Sequence, residues 1–185
     1  GLTIAMSGDV IKEVGRGFNE FLLIRVLLEN CKDVYDAIEL AHDLPRAEPT
    51  CITVCDANGE AAVIESSPTR FAVRFPDQGL LIATNHFLCP EIRKLEKSES
   101  NACDSEVRYA RIERMLRDHY GQVDIEVTKK ILSDHVGSIC CHAHEWTKDE
   151  IPFATNWSFI AKPAEKEIQI APGNPCKGEY RRHIF

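Results

Sequence analysis

Cys51-Ile52-Thr53-Val54-Cys55-Asp56-Ala57-Asn58-Gly59-Glu60-Ala61-Ala62-Val63-Ile64-Glu65 reads as two strands joined by a tight turn. The flanks are apolar and rich in β-branched residues, and Asn58-Gly59 supplies the positive φ angles that a short hairpin turn needs. The strands are assigned to residues 51–55 and 61–65. Ser66-Ser67-Pro68-Thr69 then turns the chain into a third strand over 71–75. Pro76-Asp77-Gln78-Gly79 turns it into a fourth over 80–84. Connections this short force antiparallel neighbours, because a parallel pair needs a crossover of about a dozen residues or more.

Upstream of this meander, Leu2-Thr3-Ile4-Ala5-Met6 alternates as a strand, ended by Ser7-Gly8-Asp9. Residues 18–30 are rich in helix formers and contain no breaker. Asp33 can cap a second helix over 34–42, with Val34, Ala37, Ile38 and Ala41 on one face, before Pro45 and Pro49 end it. Downstream, residues 85–103 show little periodicity, and the Lys/Glu/Ser-rich stretch 94–101 reads as an exposed loop. Asp104 or Ser105 caps a helix running to about His119, with Gly121 as its stop. A helix over 125–134 follows, then strands over 138–142, 155–161 and 167–171, the last two joined by Lys162-Pro163-Ala164-Glu165. The tail from Pro172 is polar and irregular. The fold class expected is α+β with antiparallel sheets, as a single domain over 1–185.

The composition sets bounds on function. With 185 residues, 44% hydrophobic and 28% charged, the chain can bury one good core. A net charge of −7 argues against a nucleic-acid partner, whose phosphates call for a surplus of Lys and Arg. No apolar run approaches the ~20 residues of a membrane helix, and the longest, around 21–28, is interrupted by Arg25. No membrane partner is therefore expected. Gly1 opens directly on a strand, without initiator Met or signal region, so a processed subunit or a piece of a longer protein is expected. The eight cysteines show no even framework, and Cys140 and Cys141 are adjacent. They are read as reduced thiols of a cytoplasmic protein. Cys51 and Cys55, on one strand, would be too far apart to bridge.

Several clusters could carry chemistry. Gly15-Arg16-Gly17 completes neither glycine-rich phosphate motif and is read as a turn before the first helix. Cys140-Cys141-His142-Ala143-His144 is the densest set of potential metal ligands. On a strand, however, Cys140 and His142 would share one face and Cys141 the other, so they would not converge. The nearest extras, Cys176 and His183, follow no recognised spacing. No metal and no cofactor are expected. Arg108 lies at the edge of an apolar helix face made by Val107, Ile112, Met115, Leu116 and His119. It is either held by a buried partner or snorkels to solvent. Asn85 ends a strand within Thr84-Asn85-His86, where sites concentrate. Its amide could donate to a developing oxyanion, or could merely cap its own turn. No Ser/His/Asp triad is evident, and the GxSxG elbow is absent.

Taken in order, Gly1-Leu2-Thr3-Ile4, Arg25-Val26-Leu27-Leu28-Glu29, Asp36-Ala37-Ile38, Asp56 with Gly59, Ile64-Glu65-Ser66-Ser67-Pro68, Thr84-Asn85-His86-Phe87, Asp104-Ser105 with Arg108, Ser138-Ile139-Cys140 with His142, and Gly173-Asn174-Pro175-Cys176 form a set. That ordered set resembles the acyl-coenzyme A:6-aminopenicillanic acid acyltransferase-like branch of the N-terminal nucleophile hydrolases, related to choloylglycine hydrolase and penicillin V acylase. The resemblance implies a four-layer αββα sandwich, two antiparallel sheets between helix layers. Its N-terminal strands would be missing here.

The resemblance also implies a Cys at a processed N-terminus whose α-amine serves as base and whose thiolate attacks an amide or thioester carbonyl. The substrate would be a small-molecule acyl amide or acyl thioester. By the same resemblance, Asn85 would help form the oxyanion hole, Arg108 would orient the nucleophile's surroundings, and Thr84, His86 and Phe87 would belong to the substrate site. Gly1 cannot be the nucleophile, and Thr3 and Ser7 carry no free α-amine. The nucleophile would lie upstream, on a missing N-terminal segment or a partner subunit, and this chain alone would be inactive. Unpaired sheet edges would favour self-association. The alternatives are a non-catalytic binding or scaffold domain, and a zinc-binding protein using Cys140, Cys141, His142 and His144.

Overall fold

Asp56 shows why the hairpin turns where it does. Its Oδ1 accepts the N–H groups of Asn58 at 2.8 Å and Glu60 at 3.2 Å, and Gly59 takes φ +88° between them. Its Oδ2 accepts the N–H of Val34 at 3.2 Å, tethering the start of a helix to the same turn. The computed structural model describes residues 1–8, 13–95, 102–142 and 154–185. Its elements are β1 (Leu2–Gly8), α1 (Glu20–Asn30), α2 (Val34–Asp43), β2 (Thr50–Asp56), β3 (Ala61–Ser66), β4 (Phe71–Arg74), α3 (Pro90–Arg93), α4 (Ala102–Asp118), α5 (Ile125–Leu132), β5 (Trp157–Lys162), β6 (Glu167–Pro172) and β7 (Arg181–Ile184). The chain divides into two compact units, Gly1–Glu106 and Val107–Phe185, each with its own antiparallel sheet. The class is mixed α and β, as expected.

In the first unit the sheet order is β1-β2-β3-β4. Pleating sends Ile52, Val54, Ala62 and Ile64 to one face, where they pack against Leu23 and Leu27 of α1 and Val34, Ala37 and Ala41 of α2. Cys51 and Val63 point to the other face and meet Phe87 and Ile92. A one-residue slip of β2 would exchange these faces. Each large aliphatic side chain so exposed would cost about 1.5–3 kcal/mol, so packing fixes the register in which Ile52 faces Ile64. The helices start at polar caps: Asn19 accepts the N–H of Leu22, and Asp33 that of Asp36. Gly15 and Gly17 serve close packing. A side chain at Gly15 would meet Pro68 Cβ at 2.6 Å and the Arg46 carbonyl at 2.9 Å.

Three expectations in this unit are corrected. Helix α4 begins at Ala102, so Asp104 and Ser105 lie within its first turn and do not cap it. Residues 80–84 are not a strand. Gln78 (φ +49°) and Gly79 (φ +76°) make a tight turn that pairs Asp77 with Leu80, and the ladder stops there. Side chains take the next carbonyls instead: Arg74 Nη2 donates to Ile82 O at 3.0 Å and Ser7 Oγ to Thr84 O at 2.6 Å. The stretch expected to lack structure also contains the short helix α3, begun by Pro90.

In the second unit Asp124 caps α5 by accepting the N–H of Val127, and the sheet order is β5-β6-β7. Residues 138–142 do not form the expected strand. Gly137 (φ +66°) and Ser138 (φ +59°) are consecutive left-handed residues in a 3-10 turn, and Cys140 N–H returns to Asp134 O at 2.8 Å. The tail expected to be irregular contains β7, paired to β6 with His183 opposite Ile168. Among the described residues no helix is long and apolar enough to cross a membrane.

Candidate functional site

The first unit concentrates polar groups around the segment Thr84-Asn85-His86. Thr84, His86 and Ser105 are all buried, and Asn85 is half-buried between them. The main-chain N–H of Asn85 donates to Ser105 Oγ at 2.7 Å. Ser105 Oγ lies 3.0 Å from Thr84 Oγ1 and 2.8 Å from His86 Nδ1, and the Thr84 hydroxyl donates to the Ser105 carbonyl at 3.2 Å. One self-consistent assignment has Ser105 O–H donating to Thr84 and His86 carrying its proton on Nδ1, donating to Ser105. The side-chain amide of Asn85 donates to the carbonyl of Gly8, the last residue of β1, at 2.8 Å. Asn85 is therefore held at its main chain by Ser105 and at its side chain by β1.

Glu65 supports the same segment from below, with a side chain completely buried on β3. Its carboxylate accepts the N–H groups of Leu88 at 3.0 Å and Cys89 at 2.8 Å, and Arg74 Nε donates to it at 2.5 Å. This anchor was missed as a functional element, although a carboxylate sharing a strand face with Val63 is a readable signal. Phe87 is fully buried among Cys51, Val63 and Ile92. The Glu20 carboxyl also approaches the site, since a side chain at Gly8 would stand 3.4 Å from its Oε2. Burial, helped by neighbouring Glu48, raises its pKa.

Residues 1–177 match the acyl-coenzyme A:6-aminopenicillanic acid acyl-transferase family. The chain belongs to that family. It is also 25% identical over 138 residues to an uncharacterized protein of Archaeoglobus fulgidus, a match covering 63% of this chain and 23% of that protein. The chain thus spans about a quarter of that relative's length. Within this family member, Asn85 falls in the first unit, and Arg108, half-buried on α4, in the second.

The described thiols do not have the character of an activated nucleophile where a shift is resolved. Burial and the adjacent Glu65 push the Cys89 thiol up to about 11, and burial also raises Cys31, Cys55 and Cys140. None of the seven cysteines whose side chains are described is in a disulfide.

Of the candidate metal ligands named from the sequence, His144 lies outside the described residues. Cys140 and His142 do not lie on a strand; they come together with Cys176, which the sequence offered only as an extra of no recognised spacing, and with His135, which was not grouped with them. His135, Cys140, His142 and Cys176 place four ligand atoms within 4.8 Å of one another. Cys141 is not among them, and His183 is on β7.

Proposed function

We propose that this chain is part of a Cys-nucleophile acyltransferase or amidohydrolase acting on linear amides or acyl thioesters through an acyl-enzyme. Family membership supports the reaction class. The observation that carries it to a residue is the double anchoring of Asn85, by Ser105 at the main chain and by Gly8 at the carboxamide. A carboxamide has two N–H groups. Gly8 takes one and fixes the plane of the carboxamide, which in the substrate complex is proposed to donate to the oxyanion. A donor fixed before the reaction stabilises the developing charge without reorganising.

The nucleophile is proposed to be an N-terminal Cys carried upstream of Gly1 or by a partner subunit. Its α-amine takes the thiol proton and the thiolate attacks the carbonyl carbon. The tetrahedral oxyanion then collapses, expelling a protonated amine or a thiol. Water or a second amine next attacks the thioester and releases the Cys. Arg108 is proposed to orient the nucleophile's surroundings. Thr84, His86 and Phe87 are assigned to the substrate site as the segment that sets Asn85, with Phe87 rooting it in the core. The complete fold is proposed to be the family's αββα sandwich.

The test is to express the full-length gene, look for a free N-terminal Cys by intact mass, and assay a panel of acylated amines and acyl thioesters. A processed terminus bearing Cys, with turnover that is lost on Cys→Ala substitution, is expected. A full-length protein without Cys, Ser or Thr at a processed terminus overturns it in favour of a binding domain.

A further inference from the structure

Four side chains of the second unit converge with no role in the chemistry proposed above. His135 Nε2 lies 3.1 Å from His142 Nε2, and His142 Nε2 lies 3.7 Å from Cys140 Sγ and 3.4 Å from Cys176 Sγ. All four ligand atoms fall within 4.8 Å of one another. Hydrogen bonding alone accounts poorly for this crowding, because an imidazole nitrogen offers either one hydrogen or one lone pair. His142 Nε2 nevertheless faces three partners.

A single ion satisfies all of them. Around zinc, with bonds of about 2.0–2.1 Å to nitrogen and 2.3 Å to sulfur, the edges of a tetrahedron run from about 3.3 to 3.8 Å. The three observed separations lie at or close to those edges. Two thiolates and two neutral imidazoles around a divalent ion carry no net charge, which suits a site where Cys140 and His142 are buried. Such a mixed sulfur and nitrogen set selects zinc among common cations.

The frame around these ligands is fixed independently. Asp134 accepts from Arg111 Nη2 at 2.6 Å and Nε at 3.2 Å, and from Val136 N–H at 2.8 Å, immediately before His135. A side chain at Gly137 would collide with Val107 Cγ1 at 2.8 Å, so the left-handed turn between His135 and Cys140 is closely packed. Asn174 Nδ2 donates to Cys141 O at 2.6 Å and ties the Cys176 segment to the Cys140–His142 segment. Supporting contacts of this kind orient metal ligands.

We infer that His135, Cys140, His142 and Cys176 form a structural zinc site that staples the turn after α5 to the segment following β6. Four protein ligands close the coordination sphere and leave no position for a substrate, so the ion has a structural role, separate from acyl transfer.

The test uses full-length protein without a histidine tag, purified in reductant with no added metal. Elemental analysis is expected to give one zinc per chain, and zinc X-ray absorption two sulfur and two nitrogen neighbours at about 2.3 and 2.0–2.1 Å. After dialysis against a chelator, Cys176→Ser and His142→Ala are each expected to keep less than about a tenth of the wild-type zinc. Cys55→Ser, on the sheet of the first unit, is expected to keep it all. Wild-type protein that takes up no zinc when one equivalent is offered overturns the site. So does zinc retained in a His135→Ala/Cys176→Ser double variant, or an intact mass showing Cys140 and Cys176 joined as a disulfide in metal-free protein. Where a variant fails to fold, the wild-type absorption spectrum decides.

Discussion

Asn85 and Ser105 are joined by a 2.7 Å hydrogen bond from the main-chain N–H of Asn85 to Ser105 Oγ, which fixes the loop before α3 to the first turn of α4. Ser105 is buried, so removing its hydroxyl strands that N–H and unsettles Thr84 and His86 together. An unsatisfied buried donor costs about 1–3 kcal/mol. Ser105→Ala is expected to lower the free energy of unfolding by that amount in urea titrations. In the complete enzyme it should also lower kcat, through a displaced Asn85. Unchanged stability and unchanged kcat would show that the hydroxyl only fills space.

Asn85→Ala separates catalysis from support. The residue is half-buried and its bond to Gly8 is a single neutral hydrogen bond, worth about 0.5–1.5 kcal/mol. Loss of an oxyanion donor costs ~10²–10³ in kcat. The variant of the complete enzyme is expected to show that drop in kcat with a small shift in melting temperature. A large fall in melting temperature with normal turnover would assign Asn85 to turn capping alone.

The hairpin, α2 and the cap at Asp33 were legible because local chemistry decides them: Asn58-Gly59 must turn, and an Asp before an apolar periodic run satisfies free helix N–H groups. Asn85 was legible only as a polar residue at the end of an apolar run, and its anchors, Ser105 and Gly8, stand 20 and 77 residues away. Residues 80–84 look like a strand, but the carbonyls of Ile82 and Thr84 are taken by the side chains of Arg74 and Ser7, and such partners leave no periodicity. The His135, Cys140, His142 and Cys176 cluster was hidden for a related reason. Its geometry depends on two left-handed residues, one of them Ser138, which a strand-like Ser-Ile-Cys-Cys-His run conceals.

Glu65 is expected to matter more for stability than any other polar residue of the first unit. Its buried carboxylate holds the N–H groups of Leu88 and Cys89 and pairs with Arg74, which is mostly buried. Removing one partner of such a pair leaves the other uncompensated, at a cost of about 3–5 kcal/mol. Glu65→Leu should destabilise by that order in chemical denaturation, and adding Arg74→Met should recover part of the loss. Equal effects of the single and double variants would show that the main-chain N–H groups, not Arg74, are what Glu65 serves.

The β6–β7 pairing gives a pH-dependent prediction. Nothing in Arg181-Arg182-His183-Ile184 alternates toward a core, and β7 is exposed throughout, so the ladder to β6 is reinforced by Glu167, which accepts from Arg182 Nε at 2.6 Å and from Gln169 Nε2 at 2.8 Å. Those hydrogen bonds, from Gln169 first and then Arg182, hold the Glu167 carboxyl below the usual glutamate range. A depressed carboxylate pKa adds stability above the unfolded value of about 4.3, and that stability is lost as pH falls through the folded value. Arg182 is well exposed, so solvent screens the pair and the contribution is small. Arg182→Gln is therefore expected to be slightly less stable than wild type from about pH 5 to 8, and the gap should close on acidification below about pH 4. Raising the salt concentration should narrow the same gap. Denaturation midpoints measured across that range check it, and a gap that widens toward acid would show that Glu167 is not held ionised by Arg182.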